Sequence, residues 1–465
     1  MKNLYTNFPY PTEVHDVVKL FFDGIELSDD ANADLTLIER CEGDDFKYEA
    51  SCVEMTIGAT VDCSGLDNLQ TVRLRKRYAK LAMYKLLVQI TGRTMPWGSL
   101  TGIRPTKLAD QLQREGLDWQ RAFTELLGVS ESKTKLVADV LSTQGALHKH
   151  KDGCADLYIG IPFCVTRCSY CSFTSGEIER LKKYVEPYVA ALCKDIDATL
   201  EFAQKRGIRI DNVYFGGGTP TSLSAEQLDK IMSHLTVRPV EYTVEAGRPD
   251  TIDNAKLDVF AKYGVQRISI NPQTFNQQVL DVIGRKHTVA DIYDKYELAK
   301  KYGFVINMDL IAGLPSETYD MFCHSIDSAI ALDPDNITVH TLALKHGSVL
   351  REQNYASAED VAKMVEYSHD KLYKAGYLPY YMYRQKFMAD NLENVGFCKK
   401  GKPCLYNIGI MEEISNILAC GTNAISKRII SNENRIERSA NAKDVITYIE
   451  RNDDYLNKKF ELFSK

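Results

Sequence analysis

The chain has 465 residues, 44% of them hydrophobic, and a formal net charge of −6. That length implies two or three domains, and the acidic balance gives no case for nucleic acid as a bulk electrostatic partner. No run of eighteen apolar residues occurs and no basic start precedes an apolar block in the first thirty residues, so neither a membrane span nor secretion is expected.

Residues 1–150 read as an α+β front domain. Val14, Val17, Val18 and Phe21 fall at helical spacing within a helix over Thr12 to Phe22. Leu35 to Arg40 and Tyr48 to Ile57 read as strands, with Glu42-Gly43-Asp44 as turn chemistry. A long helix over Thr71 to Ile90 buries Ala79, Met83, Leu86, Leu87 and Ile90, and its start carries Arg73, Arg75, Lys76, Arg77 and Lys80. Such a run is either a solvated face or a dock for a carboxylate-rich ligand or RNA. Met95 to Leu108 is a loop with Pro105 placed to start a helix; its Trp97, Arg104 and Lys107 either touch a ligand or pack structurally. Two more helices end near Gln144, and Gly145 to Gly153 reads as a linker.

The stretch Tyr158 to Phe173, YIGIPFCVTRCSYCSF, then places Cys164, Cys168 and Cys171 in a C-x-x-x-C-x-x-C spacing. Three thiolates within eight residues suit a compact sulfur-loving metal centre. Zinc usually takes four ligands, often as paired C-x₂₋₄-C sites, and no second pair follows. Three cysteines on a cubane 4Fe–4S cluster leave one iron open. S-adenosylmethionine (SAM) can bind that iron through its amine and carboxylate, and an electron can then release a 5′-deoxyadenosyl radical. Such an open cluster is oxygen-labile, which points to an anaerobic or facultative host. The remaining cysteines show no paired framework, so a reducing, cytoplasmic location is expected.

These residues resemble the radical SAM superfamily, and Tyr158 with IPFC resembles its oxygen-independent coproporphyrinogen III oxidase branch, most closely the HemZ-type sub-branch. From Cys154 to Leu350 the chain alternates short apolar strands (DLYIGI, NVYFGGG, VEYTVEA, RISINPQ, FVINMDL, NITVHTLA) with amphipathic helices such as Tyr184 to Gln204, Ala225 to Leu235 and Thr318 to Ala331. That rhythm implies a parallel sheet covered by helices. Six units suggest a partial (β/α)₆ barrel over residues 151–350, the fold the resemblance also implies, with ligand residues at the carboxyl ends of the strands.

The motifs fall at those ends. Gly216-Gly217-Gly218-Thr219 leaves backbone groups bare for a ligand and resembles the loop that holds the methionine amine. Glu245 closes an apolar strand, where an unpaired carboxylate is awkward. Gln273 lies in RISINPQTFN, where Asn271 replaces the glycine of the related motif. Arg285 is a candidate for the methionine carboxylate, Asp309 belongs to DLIAGLP, and Ala343 follows. The bland reading of each is a salt bridge or cap; the resemblance implies that Tyr158, Gly216–Thr219, Glu245, Gln273, Arg285, Asp309 and Ala343 line the SAM pocket. For Tyr158 it further implies a contact with cluster and substrate.

Residues 351–465 read as an α+β tail. A helix over Ala358 to Lys374 precedes the aromatic-rich YLPYYMYRQKFM, which is either a core strand at a sheet edge or a flat lid over a planar macrocycle. In the second case Arg384, Lys386 and Asn394 would address propionates. LYNIGIMEEISNILACGTNAISK resembles the HemZ-type tail, with Gly421 and Ala424 allowing close packing. Cys398 and Cys404 are read as free thiols.

Two positions depart from the oxidase pattern. Phe173 stands where working oxidases have a fourth cysteine, and Gly160 where they have a histidine; the C-x-x-x-C-x-Y-C-x-F form also occurs in the heme-chaperone branch. The resemblance therefore implies radical SAM chemistry on a tetrapyrrole, with an electron donor such as flavodoxin or ferredoxin. The expected reaction is decarboxylation of coproporphyrinogen III propionates to protoporphyrinogen IX. The alternatives are heme delivery and another radical reaction on a tetrapyrrole.

Overall fold

The computed structural model describes all residues except 103, 174, 346, 354, 356–359, 386–387, 431–434 and 465. Residues Met1–Ala138 and Tyr383–Glu393 form one compact unit, and Asp139–Met382 with Asn394–Lys465 form the other.

The first unit is built on strands β1 (Asn3–Thr6), β2 (Glu26–Leu27), β3 (Leu35–Glu42), β4 (Asp45–Cys52) and β5 (Met55–Asp62), in the order β2-β1-β3-β4-β5. β1 runs parallel to both its neighbours, and β3 to β5 form an antiparallel meander. Gly43, with φ +66°, supplies the left-handed residue at the first hairpin. The single strand expected over Tyr48 to Ile57 is in fact parts of two. The chain reverses at Val53 and Glu54, a turn with no glycine or proline to announce it.

The helix Asn68–Thr91 starts with a reciprocal capping box between Asp67 and Gln70 and stops at Gly92. Its Ala79, Ala82, Met83, Leu86 and Leu87 pack with Val14, Val17 and Val18 of the helix Pro11–Val18 and with Leu35 and Leu37 of the sheet. Much of its basic run is neutralised locally. Arg75 forks onto Glu39 at 3.0 and 2.6 Å, while Lys76 and Lys80 reach Glu13 at 3.3 and 3.4 Å.

Trp97 is fully buried and donates to Glu393 at 2.7 Å, and Lys133 meets the other oxygen of that carboxylate at 2.5 Å. Arg384 lies over the Trp97 ring and donates to the Leu100 carbonyl. These contacts bind Tyr383–Glu393 into the first unit, which holds both tryptophans of the chain, Trp97 and Trp119.

The second unit carries β6 (Cys154–Ile161), β7 (Phe163–Cys164), β8 (Gly176–Glu177), β9 (Arg209–Gly217), β10 (Glu241–Gly247), β11 (Arg267–Ile270), β12 (Val305–Ala312), β13 (Asn336–Thr341), β14 (Leu378–Tyr383), β15 (Asn394–Cys398), β16 (Asn416–Gly421), β17 (Ile425–Ile430) and β18 (Arg435–Ala440). Six parallel strands, β6-β9-β10-β11-β12-β13, form the expected (β/α)₆ core. Helices including Lys182–Lys205, Ala225–Ser233 and Tyr319–Leu332 connect them. The strands are buried along nearly their whole length, as parallel strands covered by helices must be.

The sheet stays open, and tail strands extend it at both edges. β15 pairs antiparallel with β13 and β14 lies beyond it, while β16 runs parallel to β6 and is followed by β17 and β18. Tyr377, Tyr380, Tyr381 and Met382 of the aromatic stretch are buried, the edge-strand packing that was one of the two readings. Asn394 accepts from the Thr341 amide at 2.7 Å. Lys386 lies outside the described residues, as do 358 and 359 of the expected helix, which runs as Val361–Lys374.

Candidate functional site

The cysteine loop leaves the carboxyl end of β6 and is pinned at both ends. β7 pairs with β8, the Gly176 amide donates to the Pro162 carbonyl at 2.9 Å, and the Ile178 amide to the Cys164 carbonyl at 2.9 Å. Its middle is held by the Ser169 amide on the Ile283 carbonyl.

Arg248, which sequence reasoning passed over, supplies a side-chain clamp. It donates to the Thr166 hydroxyl at 2.6 Å and is itself forked onto Asp250 at 3.0 and 2.8 Å. Arg285 is buried, donates to the Asn271 carbonyl at 2.6 Å and to the Tyr170 hydroxyl at 3.0 Å, and leaves its Nε without a partner. Burial disfavours its charge, but Tyr170 and Cys168 beside it outweigh that and hold the guanidinium firmly protonated. Tyr170, the tyrosine of the C-x-x-x-C-x-Y-C-x-F form, had no role assigned from sequence.

Burial pushes the Cys171 thiol up to about 11, with Cys168 and Cys164 adding to the shift. A buried thiol that resists ionisation, with two more thiols beside it, suits a cationic centre that takes the place of its proton. Among the described residues no three His, Cys, Asp or Glu side chains are grouped to hold a single ion. The donor set is all-sulfur and spread along a loop, which fits separate corners of an iron–sulfur cluster rather than a mononuclear site.

The glycine triplet lies directly against this loop. The Gly218 amide donates to the Ile161 carbonyl at 2.6 Å and the Thr219 amide to the Phe163 carbonyl at 2.7 Å. A Cβ at Gly218 would come within 2.5 Å of the Phe163 carbonyl oxygen and 3.0 Å of the Cys164 sulfur, and one at Gly217 (φ +111°) within 2.7 Å of the Ile161 carbonyl oxygen. Glycine is therefore required for loop-to-loop contact as well as for baring the backbone.

Gly216 faces inward between Tyr214 and Glu245. The inward face of the barrel continues as a polar and aromatic row. Tyr158, Tyr214 and Tyr406 stack, with Tyr214 and Tyr406 centroids 4.2 Å apart and Tyr158 6.3 Å from each. Tyr406 is presented by the helix Leu405–Glu412, whose first amides donate to Glu241, itself paired with Arg267. Tyr214 donates to Glu245 at 2.5 Å.

Across from them, Asn307 donates to Asp309 at 2.7 Å and His340 stands 3.7 Å from its other oxygen. Burial pushes the Asp309 carboxyl up, but His340, Asn307 and Thr338 together hold it below the usual range. Gln273, at φ +71°, links the end of β11 to β12 through the Asp309 carbonyl and the Ile311 amide. Ala343 follows β13, and its carbonyl accepts from the amide of Lys345. The structure thus gathers Cys164, Cys168, Arg285 and the glycine triplet on the loop side, and Tyr158, Glu245 and Asp309 on the barrel side.

The two departures have structural counterparts. A Cβ at Gly160 would meet the Thr422 carbonyl at 3.2 Å and the Tyr158 ring at 3.3 Å, because the end of β16 occupies that space. Phe173 is 65% exposed.

Glu245 gives a direct prediction. Burial, with Asp309 adding, pushes its carboxyl from an ordinary 4.5 up to about 7, against the pull of the Tyr214 hydrogen bond. The folded chain then keeps a proton that the unfolded chain releases, so stability is lost as pH rises through this window. In the cofactor-free protein, Glu245→Gln is expected to remove up to about 3 kcal/mol of that loss between about pH 5 and about pH 8. Denaturant unfolding at both pH values measures it, and an unchanged difference between the two would remove Glu245 from this account.

Comparison with known proteins matches residues 158–329 to the radical SAM superfamily. The chain is 40% identical over 394 residues to the oxygen-independent coproporphyrinogen-III oxidase-like protein HemZ of Bacillus subtilis, covering 81% of this chain and 78% of that protein. It is 36% identical over 199 residues to the heme chaperone HemW of the same organism, covering 41% and 51% respectively. Among solved structures, coproporphyrinogen III oxidase (HemN) from Escherichia coli superposes with a TM-score of 0.52 at 21% identity, over 68% of this chain and 72% of that one, a likeness of fold.

Proposed function

Since this chain belongs to the radical SAM family of oxygen-independent coproporphyrinogen-III oxidase-like proteins, we propose that it acts on a tetrapyrrole, converting two propionates of coproporphyrinogen III to vinyl groups. Membership brings a 4Fe–4S cluster and SAM as cofactors. When bound, the two supply one-electron chemistry that removes a hydrogen atom from a substrate carbon.

The residues take these parts in the proposal. Cys164, Cys168 and Cys171 hold the cluster. The backbone of Gly216–Thr219, with Tyr158, Glu245, Gln273, Arg285, Asp309 and Ala343, holds SAM. Asp309, ionised and fixed by Asn307 and His340, is an acceptor for ribose hydroxyls. Arg285, buried and charged, is a donor for a carboxylate. The stacked tyrosines keep water from the reacting carbon. At the substrate, a hydrogen atom leaves the propionate β-carbon, the bond to the carboxyl group breaks, and carbon dioxide and one electron depart to leave the vinyl group. An external one-electron acceptor of the flavodoxin or ferredoxin class takes that electron, and a donor of the same class supplies the reducing one.

The observation that supports this reading is the cysteine loop and glycine triplet in contact at the end of β6, within a chain 40% identical to HemZ. A second reading, heme delivery, is favoured by the likeness to HemW and by Gly160 and Phe173. Anaerobically reconstituted protein given dithionite, SAM and coproporphyrinogen III is expected to yield 5′-deoxyadenosine and a product lighter by two carbon dioxide and four hydrogen. Stoichiometric heme binding with no vinyl product would decide for delivery. Among the described residues no helix is long and apolar enough to cross a membrane.

A further inference from the structure

We propose that the first unit binds a small amphipathic carboxylate in a cavity built around Arg77. The cavity, about 280 Å³, opens between β5, the helix Asn68–Thr91 and the helix Pro105–Arg114. Its walls are largely apolar, from Val61, Leu74, Leu112, Leu126 and Leu127.

Three observations converge on a ligand. The first is charge. Arg75, Lys76 and Lys80 of the same helix all find carboxylates, but Arg77 forms no hydrogen bond or ion pair among the described residues. Burial disfavours its charged form, which the more distant Glu115 only partly offsets. A partly buried cation with no partner is costly, and a guanidinium fork is shaped for a carboxylate. The two acidic residues at the cavity, Asp62 and Glu115, are exposed to water, so the charge inside the cavity is positive.

The second is backbone geometry. Ala122–Leu126, which forms part of the wall, is a π-helical turn. Such turns persist mainly where a site repays their poorer hydrogen bonding. The third is Leu117, an apolar side chain left 52% exposed where it borders the cavity. The volume is just below the usual range for small-molecule pockets, which suits a small ligand such as one carboxylate on a short apolar body.

This site is independent of the tetrapyrrole reading and is tested separately, by calorimetric titration of the full chain with octanoate and with octan-1-ol. Octanoate is expected to bind one per chain, roughly tenfold or more tighter than the alcohol, the worth of a charge-assisted fork. Arg77→Met should bring octanoate down to the level of the alcohol, and Ala122→Phe, which fills the cavity, should weaken both. Should Arg77→Met fail to fold, Arg77→Lys keeps the charge without the fork and should still lose part of the preference. Equal binding of acid and alcohol, or octanoate binding that survives both Arg77→Met and Ala122→Phe, overturns the proposal.

Discussion

Cys168→Ala is expected to leave a folded chain that no longer holds its cluster and forms 5′-deoxyadenosine only at background. The side chain is 8% exposed, and losing one sulfur from so small a buried group costs the fold on the order of 1–2 kcal/mol. The metal centre has no such margin. Two thiolates would remain for a centre proposed to draw on three. Arg285, now beside a methyl group, also loses part of the partnership with Cys168 that favours its charge. Iron and acid-labile sulfide analysis of anoxically purified protein measures the outcome. Cys398→Ala is the control, since that thiol is buried in β15, and it should load iron like the parent. A Cys168→Ala protein with parental iron content would refute the ligand assignment.

Gly218→Ala should have the next largest effect, through shape rather than ligation. Its φ is not in the left-handed region, so alanine costs nothing in backbone conformation. The obstacle is the Phe163 carbonyl oxygen, 2.5 Å from where the new Cβ would sit, with the Cys164 sulfur at 3.0 Å. One is backbone and the other is the sulfur of Cys164, proposed as a cluster ligand, so neither is free to rotate away. The loops must part, at a cost of about 1–3 kcal/mol, and the amide bonds from Gly218 and Thr219 to the cysteine loop lengthen. SAM affinity is expected to fall at least roughly tenfold, read by equilibrium binding, with a changed electron paramagnetic resonance spectrum of the reduced cluster. Gly216→Ala meets only side-chain atoms at 3.1–3.3 Å and should be milder. Parental affinity and spectrum in Gly218→Ala would show that the contact between the loops is dispensable.

What could be read from the residues was whatever depends on neighbours in sequence. The alternation of apolar runs with amphipathic helices marked the six parallel strands, and the cysteine spacing marked the loop. What escaped depends on pairing between distant segments. Nothing local tells Asn394–Cys398 to join one edge of the barrel sheet and Asn416–Gly421 the other, or Tyr383–Glu393 to fold with the first unit through Glu393 and Arg384. Arg248, Tyr214 and Tyr406 escaped for the same reason, since each becomes notable only beside Thr166, Glu245 or Tyr158. The second hairpin of the front meander was missed because Val53 and Glu54 carry no turn chemistry.

The placement of Trp97 and Trp119 bears on how the unfolding of this chain should be followed. Indole emission reports only the first unit, whereas the near-ultraviolet dichroism of the stacked phenols at Tyr158, Tyr214 and Tyr406 reports the second. A melting curve recorded by fluorescence alone would be blind to the larger unit, which carries Cys164, Cys168 and Cys171. Recording both signals on one sample separates the two transitions without cutting the chain.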